Sequence, residues 1–274
     1  MAGPLISVAA LADRLGTFTV LDVRYRLGGP GGPEEYAAGH VPGAAYVDLD
    51  ADLADPPGVR GRHPLPEVAT FEAAMCRSGV SADRPVVVYD DWQGRAAARC
   101  WWLLRFHGHA DVRVLDGGWA AWTAAGGAVE TGTPGVAAGS FTADPGRLPV
   151  LERDDVLDFA GTGALVDARD PERFRGEVEP VDPVAGHIPG AVNVPTGTNL
   201  RRDGTFRSAD ELRALYAAAG VDASRPVAAY CGSGVTAAHD LLALAVAGLD
   251  GALYPGSWSE WVAEPGRPLA TGID

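Results

Sequence analysis

Residues 165–194 read LVDARDPERFRGEVEPVDPVAGHIPGAVNV, and residues 20–47 read VLDVRYRLGGPGGPEEYAAGHVPGAAYV. Each stretch opens with a short apolar run that ends in an aspartate, with an arginine two residues later. Each stretch also ends in Gly-His, an apolar residue and Pro-Gly-Ala, with His40 and His187 at matching places. The chain therefore carries one pattern twice.

Two further blocks recur in the same order. RPVVVYD at 84–90 matches RPVAAYC at 225–231, and LDGGWAAW at 115–122 matches YPGSWSEW at 254–261. A solenoid would repeat at a several-fold shorter period. The repeat therefore indicates two copies of one domain.

The stretch between the copies is rich in Gly, Pro, Thr and Ala and lacks helical periodicity, which is typical of a linker. We therefore predict an N-terminal domain over residues 1–127, a linker over 128–149 and a C-terminal domain over 150–274.

Short β-branched runs alternate with helical patterns in both copies. The predicted strands are Val20–Val23, Val86–Tyr89, Val112–Leu115, Leu165–Asp167, Val192–Val194 and Val227–Tyr230. The predicted helices are Glu67–Ser78, Arg95–His107, Ala209–Ala219 and Thr236–Ala247, the third preceded by Ser208 and Glu211 at capping-box spacing. This alternation predicts an α/β fold in which each domain has a mainly parallel sheet with helices on both faces.

Composition narrows the class of partner. Hydrophobic residues make up 47% of the chain, which suits a globular protein, and no apolar run is long enough to span a bilayer. The N-terminus has no basic region before its apolar stretch, so we expect no secretory signal and a cytoplasmic location. The net charge is −14, and all 22 cationic residues are arginine. Such a surface repels nucleic acid and anionic membranes, so a small anionic substrate needs local donors.

The three cysteines, Cys76, Cys100 and Cys231, show no metal-ligand spacing, and no metal site is predicted. Cys76 and Cys100 lie within apolar helical patterns and are expected in the core. Cys231 instead follows the predicted strand VAAY and precedes the helical run TAAHDLLALAVA.

The loop CGSGVT places Gly232, Gly234, Val235 and Thr236 around the start of that helix. Backbone N–H groups at a helix N-terminus form an anion cradle and favour a thiolate. The geometry suits a nucleophilic cysteine that attacks sulfur and then holds a charged persulfide. The simpler alternative is a buried core cysteine.

The loop CGSGVTA at 231–237, together with two copies of the [DE]xR and GHxPGA pattern, resembles the tandem-domain rhodanese and 3-mercaptopyruvate sulfurtransferase family. The resemblance covers nearly the whole chain and implies two rhodanese-like domains. It also implies sulfur transfer without a cofactor, through a covalent persulfide on Cys231. In that family the first domain has lost its cysteine, and Asp90 stands at the matching position here.

The resemblance also implies roles for several side chains. The neutral CG[ST]GVT loop is the form found in mercaptopyruvate enzymes, which have a loop serine matching Ser233. They also have a histidine and an aspartate in the first domain, and the counterparts here are His63 and Asp50. Such a relay moves a proton as sulfur leaves its donor. A small anionic donor, 3-mercaptopyruvate ahead of thiosulfate, is thus expected, with a thiol, cyanide or thioredoxin as acceptor.

An arginine that holds the substrate carboxylate is also implied, and Arg173 fits it best, with Arg175 close by. A guanidinium group binds a carboxylate through two parallel hydrogen bonds. The family has a second arginine a few residues further on, whereas VEPVDPVAG at 178–186 has none. Arg175 is the candidate to replace it.

Three alternatives stay open at this point. A thiosulfate sulfurtransferase would use the same mechanism. A phosphatase would need an arginine six positions after the cysteine, where Ala237 stands. A non-enzymatic sulfur carrier or regulatory module would keep the fold and lose the substrate groups.

The paired polar residues of the repeat are expected to be structural, because one copy lacks a cysteine. We predict ion pairs at the strand ends and histidines that bind local backbone, at Asp22 with Arg24, Asp167 with Arg169, His40 and His187.

Overall fold

The computed structural model describes residues 3–26 and 28–273. The chain folds into two compact units. The first comprises Met1–Asp55, Leu65–Arg147 and Arg202–Thr205, and the second comprises Pro56–Pro64, Leu148–Arg201 and Phe206–Asp274. The boundaries drawn from the repeat stay a prediction. Two differences matter here: most of the expected linker lies in the first unit, and residues 56–64 lie in the second.

The first unit contains a parallel sheet. Strands β1 to β5 are Leu5–Ile6, Thr19–Asp22, Ala45–Tyr46, Val86–Tyr89 and Val112–Leu115. Helices α1 to α6 are Val8–Asp13, Gly32–Ala38, Leu49–Asp52, Val68–Arg77, Arg95–Phe106 and Gly118–Ala124, and a 3-10 helix spans Leu15–Thr17. The strand order is β1-β5-β4-β2-β3, and every neighbouring pair is parallel.

The second unit has the same core order. Strands β6 to β9 are Ala164–Asp167, Val192–Asn193, Val227–Tyr230 and Ala252–Leu253. Helices α7 to α11 are Val156–Thr162, Pro171–Phe174, Ala209–Ala218, Val235–Ala247 and Ser257–Trp261, with 3-10 helices at Arg153–Asp155 and Thr196–Asn199. The order β7-β6-β8-β9 repeats β3-β2-β4-β5, again with parallel neighbours. The predicted α/β class is confirmed.

The central strands have the composition that is typical of a parallel sheet. All four residues of β4 and of β8 are buried, as their unbroken apolar runs VVVY and VAAY indicate. A strand that is covered by helices on both faces has no polar side. Large aromatic side chains fill the remaining core, among them Trp122 in the first unit and Trp258 and Trp261 in the second.

The predicted ion pairs at the strand ends are present in both units. The Nη2 atom of Arg24 donates to Oδ2 of Asp22 at 2.9 Å, and Arg169 donates to Asp167 at 2.6 Å. All four side chains are nearly inaccessible to solvent. These pairs therefore fix the chain where each central strand ends.

The repeated histidines also have the structural role that was predicted. The Nδ1 atom of His40 lies 2.8 Å from the carbonyl oxygen of Tyr36, and that of His187 lies 2.8 Å from the carbonyl of Phe174. Each imidazole also stacks on the ring of the same residue. Both histidines are fully buried, and they bind local backbone.

Candidate active site

The loop at the carboxyl end of β8 carries the cysteine. Strand β8 ends at Tyr230 and α10 begins at Val235, so four residues connect them. The Sγ atom of Cys231 accepts hydrogen bonds from the backbone N–H groups of Ser233, at 3.4 Å, and Gly234, at 3.1 Å. Carboxyl ends of parallel strands are where open α/β sheets bind ligands.

Glycine is required at position 234. Its φ is +79°, and a Cβ there would lie 2.5 Å from the carbonyl oxygen of Pro255. Helix α10 has thirteen residues, of which Val235 is buried and Thr236 is half-buried. The positive end of the helix dipole and the two N–H donors stabilise an anion on the sulfur.

The first turn of α11 braces the cysteine loop. The backbone N–H of Cys231 donates to Oγ of Ser257 at 3.1 Å. The N–H groups of Trp258 and Ser259 donate to the carbonyl oxygens of Cys231, at 3.0 Å, and Gly232, at 2.9 Å. Ser257 has a φ of +54°, a left-handed conformation that is strained for serine. The aligned repeat has glycine here, at position 118, and that difference is the only sequence signal for Ser257.

His63 lies beside the loop serine. Its Nδ1 atom is 2.7 Å from Oγ of Ser233, and both residues belong to the second unit. Asp50 belongs to the first unit, in α3, where its N–H donates to Oδ1 of Asp48 at 2.9 Å. Partial desolvation and the carboxylate of Asp48 raise the pKa of Asp50. Of the four residues expected to react, three lie together in the second unit: Cys231, Ser233 and His63.

Arg173 lies in α8, with two acidic partners. Its Nε and Nη2 atoms donate to the carboxylate of Glu179 at 3.0 and 2.6 Å, and Nη2 also lies 3.3 Å from Asp182. Burial alone would raise the pKa of Glu179, but Arg173 and nearby backbone N–H groups hold it below its usual range. The guanidinium is therefore fixed in orientation.

A second guanidinium, which no motif in the sequence marked, lies at the loop. Nη2 of Arg62 would lie 2.7 Å from a Cβ on Gly232, and Nη2 of Arg173 would lie 3.6 Å from it. Arg62 also pairs with Asp182. Arg175 instead pairs with Glu177, with its Nε atom at 2.8 Å from Oε1. The place of Arg62 directly before His63 was the available signal.

The carboxyl group of Asp182 joins the two guanidinium groups. One of its oxygens contacts Arg62 and the other contacts Arg173. Burial raises the pKa of Asp182, and the two guanidinium groups oppose that rise. Only 3% of the Asp182 side chain is exposed, so both contacts are shielded from water.

In the first unit the corresponding loop is filled by its own side chain. Oδ1 of Asp90 accepts from the N–H groups of Trp92, at 2.9 Å, and Gly94, at 2.8 Å, and Oδ2 accepts from Ala97 at 2.9 Å. Asp90 is fully buried. The same cradle therefore holds a carboxyl group where the second unit holds a sulfur atom.

The other two cysteines are in the first unit. Cys100 is fully buried in α5, and burial raises the pKa of its thiol. Cys76 in α4 is half-buried rather than a core residue, and its Sγ lies 3.2 Å from the carbonyl oxygen of Phe141. Neither lies in a loop after a strand.

Within residues 3–26 and 28–273, no group of three His, Cys, Asp or Glu side chains is arranged to hold a metal ion. None of the helices described for this chain is long and apolar enough to cross a membrane.

Comparison with known proteins places these features in a family. Residues 7–125 and 152–264 each match the model of the rhodanese-like domain. The chain is 49% identical over 275 residues to SseB of Mycobacterium tuberculosis, whose name assigns it to the thiosulfate sulfurtransferases; the match covers 98% of this chain and 97% of SseB. A Pseudomonas aeruginosa protein named as a 3-mercaptopyruvate sulfurtransferase is 45% identical over 280 residues, with 98% of each chain covered.

The crystal structure of SseA from Escherichia coli, described as a 3-mercaptopyruvate sulfotransferase with the rhodanese fold, superposes with a TM-score of 0.79. It is 36% identical, and the match covers 94% of this chain and 100% of that one. With two matched domains and relatives of this similarity along its whole length, the chain belongs to the rhodanese-like family and is a tandem-domain sulfurtransferase.

Proposed function

We propose that this sulfurtransferase takes sulfur from 3-mercaptopyruvate and passes it to a thiol or to cyanide through a persulfide on Cys231. One observation carries the proposal. The sulfur of Cys231 receives two backbone N–H groups, and the hydroxyl of the adjacent Ser233 lies 2.7 Å from the imidazole of His63. A sulfur nucleophile thus shares its loop with the serine of a proton relay, and His63 contacts that serine from a separate segment.

The first half-reaction balances without an added oxidant or cofactor. The Cys231 thiolate attacks the sulfur of the donor, so an Sγ–S bond forms while the donor's C–S bond breaks. The electron pair of that C–S bond passes to carbon and gives the enolate of pyruvate. The proton from the donor's thiol moves to this carbon, which leaves a persulfide anion and pyruvate.

Ser233 and His63 are the groups that move that proton. The contact between Oγ and Nδ1 has the length of a good hydrogen bond, and His63 is half-buried, so water reaches it. Asp50 is the third member of the relay in this proposal, on the strength of the family resemblance. The persulfide anion then replaces the thiolate as acceptor of the N–H groups of Ser233 and Gly234, with Gly232 beside it in the loop and Val235 and Thr236 in the first turn of α10.

The charges around Gly232 favour a donor with one carboxylate. Two guanidinium groups, of Arg62 and Arg173, are balanced by the carboxyl groups of Glu179 and Asp182. The cluster has little net charge when all four are ionised, so it offers hydrogen bonds rather than a strong positive field. Thiosulfate is a dianion and gains less from such a cluster.

A thiosulfate sulfurtransferase is the second candidate. Its support is the presence of two guanidinium groups beside the cysteine loop, which suit any small anion. It would use the same Cys231 persulfide, with sulfite as the leaving group.

The second half-reaction passes the outer sulfur to an acceptor. A thiolate or cyanide ion attacks that sulfur, and the S–S bond breaks to return the Cys231 thiolate. Thioredoxin as a thiol acceptor of the sulfur and a cytoplasmic site of action belong to the proposal and come from the sequence.

Parallel kinetics with the two donors test the proposal. We expect kcat/KM for 3-mercaptopyruvate to exceed that for thiosulfate when the same preparation and thiol acceptor are used. A higher kcat/KM for thiosulfate would favour the second candidate.

A further inference from the structure

The segment at 178–184 of the second unit turns its charged side chains inward and its apolar side chains outward. The side chains of Glu179 and Asp182 are only 4% and 3% exposed, because both carboxyl groups bind arginines. Three side chains of the segment are between 38% and 53% exposed: Val178, Val181 and Val184. This arrangement is the reverse of the usual one, in which acidic residues face water and valines are buried.

A fourth exposed valine lies on the turn at 56–64, which belongs to the same unit. Val59 is 82% exposed, and backbone hydrogen bonds between Gly58 and Gly61 close the turn around it. The N–H of Arg62 then donates to Oγ of Ser259 in α11, at 3.1 Å, which fixes the turn to the cysteine site.

These four valines form what we call the valine surface. They are four of the nine large apolar side chains that are exposed in the described part of the chain. Single exposed valines are ordinary, whereas a group of them at one place indicates an interaction site.

The valine surface flanks the cysteine loop on both of its segments. The indole Nε1 of Trp258 donates to the carbonyl oxygen of Val184 at 2.8 Å, and the backbone N–H of Trp258 donates to that of Cys231 at 3.0 Å. On the other segment, Arg62 binds Asp182 and lies against the residue after the cysteine. A molecule that packs on the valine surface therefore also faces the cysteine site.

The two segments are stiff as well as apolar. Four exposed prolines accompany the valines: Pro56, Pro57, Pro180 and Pro183. Proline fixes its own φ, so these segments lose little conformational freedom when another molecule binds them. The surface is therefore organised before a partner arrives.

Charge and size together select the kind of partner. The inward carboxyl groups of the segment are paired with arginines, so the valine surface is uncharged on a chain whose net charge is −14. Its complement is an uncharged apolar face. Cyanide or a small thiol is too small to cover four valines, whereas a protein interface has an apolar centre of this kind. Only 2% of Cys231 is exposed, so the accepting cysteine of that protein has to project.

We infer that the valine surface is the docking surface for a protein acceptor, which presents a projecting cysteine from an uncharged apolar face. The inference rests on the proposed function and extends it, because it assigns a binding surface to the acceptor and makes that acceptor a protein.

The transfer to such an acceptor balances. The acceptor's thiolate attacks the outer sulfur of the Cys231 persulfide, the S–S bond breaks, and the Cys231 thiolate returns. The acceptor then carries the persulfide. If it has a second thiol, that thiol attacks the inner sulfur, so a disulfide forms and hydrogen sulfide leaves. The two thiols are oxidised, and the transferred sulfur is reduced to sulfide.

The test compares two dithiol acceptors that differ in size, reduced thioredoxin and dithiothreitol, with 3-mercaptopyruvate as donor and hydrogen sulfide release as the readout. The triple variant Val59→Ser, Val178→Ser, Val181→Ser should lower kcat/KM for thioredoxin by about tenfold, because three modest interface contacts are lost together. The loss should fall mainly on KM. For dithiothreitol, kcat/KM should change less than about twofold, since a small dithiol does not reach the valines.

Two further variants and one rate serve as controls. Val129→Ser changes a valine of the first unit that is 51% exposed, and it should leave both acceptors unaffected. Val59→Ser alone, at the most exposed position, should lower kcat/KM for thioredoxin by about twofold to threefold. The single-turnover rate of persulfide formation should stay at the wild-type value in every variant, which also shows that each one is folded.

The outcomes distinguish a wrong function from a wrong surface. Wild-type protein that forms no persulfide from mercaptopyruvate would refute the proposed function. Wild-type protein that forms the persulfide, but uses thioredoxin with no higher kcat/KM than dithiothreitol, would overturn the docking surface alone. So would serine variants that retain full kcat/KM for thioredoxin, or that lose equally with both acceptors.

Discussion

Ser257 offers a quantitative test of how the fold holds the nucleophile. The residue is fully buried, and its φ of +54° costs about 1 kcal/mol relative to glycine. Its hydroxyl accepts from the N–H of Cys231 at 3.1 Å and donates to the carbonyl oxygen of Tyr254 at 2.9 Å. Two hydrogen bonds therefore accompany an unfavourable backbone conformation.

Two substitutions separate these contributions. Ser257→Ala keeps the strain and leaves the buried N–H of Cys231 without an acceptor, so the free energy of unfolding should fall by about 1–3 kcal/mol. Ser257→Gly loses the same bonds and relieves the strain, so it should be more stable than Ser257→Ala by about 1 kcal/mol. We expect the order wild type, Ser257→Gly, Ser257→Ala.

Urea unfolding followed by tryptophan fluorescence measures this order, because Trp258 and Trp261 are buried in the same unit. The rate of persulfide formation, measured in a single turnover, should fall in both variants because the backbone of Cys231 has lost its brace. An alanine variant as stable as wild type, or a glycine variant less stable than the alanine variant, would refute the reasoning.

Three other perturbations test the remaining parts of the site and fold. Cys231→Ser should abolish sulfur transfer, and mass spectrometry of donor-treated wild type should find about 32 Da added to the peptide containing Cys231, while Cys100→Ser keeps most activity; a label on another cysteine would contradict this. His63→Asn should lower kcat for mercaptopyruvate by about a hundredfold or more, and affect thiosulfate far less because sulfite leaves without a proton on carbon; equal losses with both donors would count against the relay. Burial lowers the pKa of His107 from 6.5 to about 4, so the native state binds this proton less tightly than the unfolded chain does. Acidification from pH 6.5 to 4 should therefore lower the free energy of unfolding of the wild type by about 3 kcal/mol more than that of His107→Phe. Urea unfolding at several pH values measures this difference, and an equal pH dependence of the two proteins would contradict the prediction.

Much of the fold follows from local patterns in the sequence. The bounds predicted for β4, β5 and β8 match the structure, because each is a four-residue run rich in apolar residues between turn residues. Ser208 and Glu211 form the predicted capping box before α9. The two-residue strands β1, β3 and β9 were not predicted, because two residues carry no periodicity and pair only once the neighbouring strands are in place.

The site was harder to predict where contacts are distant in sequence. Cys231 could be predicted because the strand before it, the glycines of its loop and the helix after it are contiguous in the sequence. Arg62 does not, since it lies 120 positions from Asp182 and contacts it only in the folded chain. Its segment also belongs by sequence to the first copy of the repeat, whereas its contacts are in the second unit. No local sequence pattern indicates that a segment of the first copy belongs to the second unit.

The carboxyl group of Asp90 shows how a duplicated domain can keep its loop structure after the catalytic cysteine is gone. The loop of the first unit needs an acceptor for its inward N–H groups, and Asp90 provides one permanently, within the chain itself. In the second unit that acceptor is a sulfur atom whose protonation and substitution change during every proposed turnover. In a copy that has no catalytic role, one aspartate can thus satisfy the N–H groups of the loop whether or not a substrate is bound. In the proposed reaction, the loop of the second unit therefore has an acceptor that changes from one step to the next.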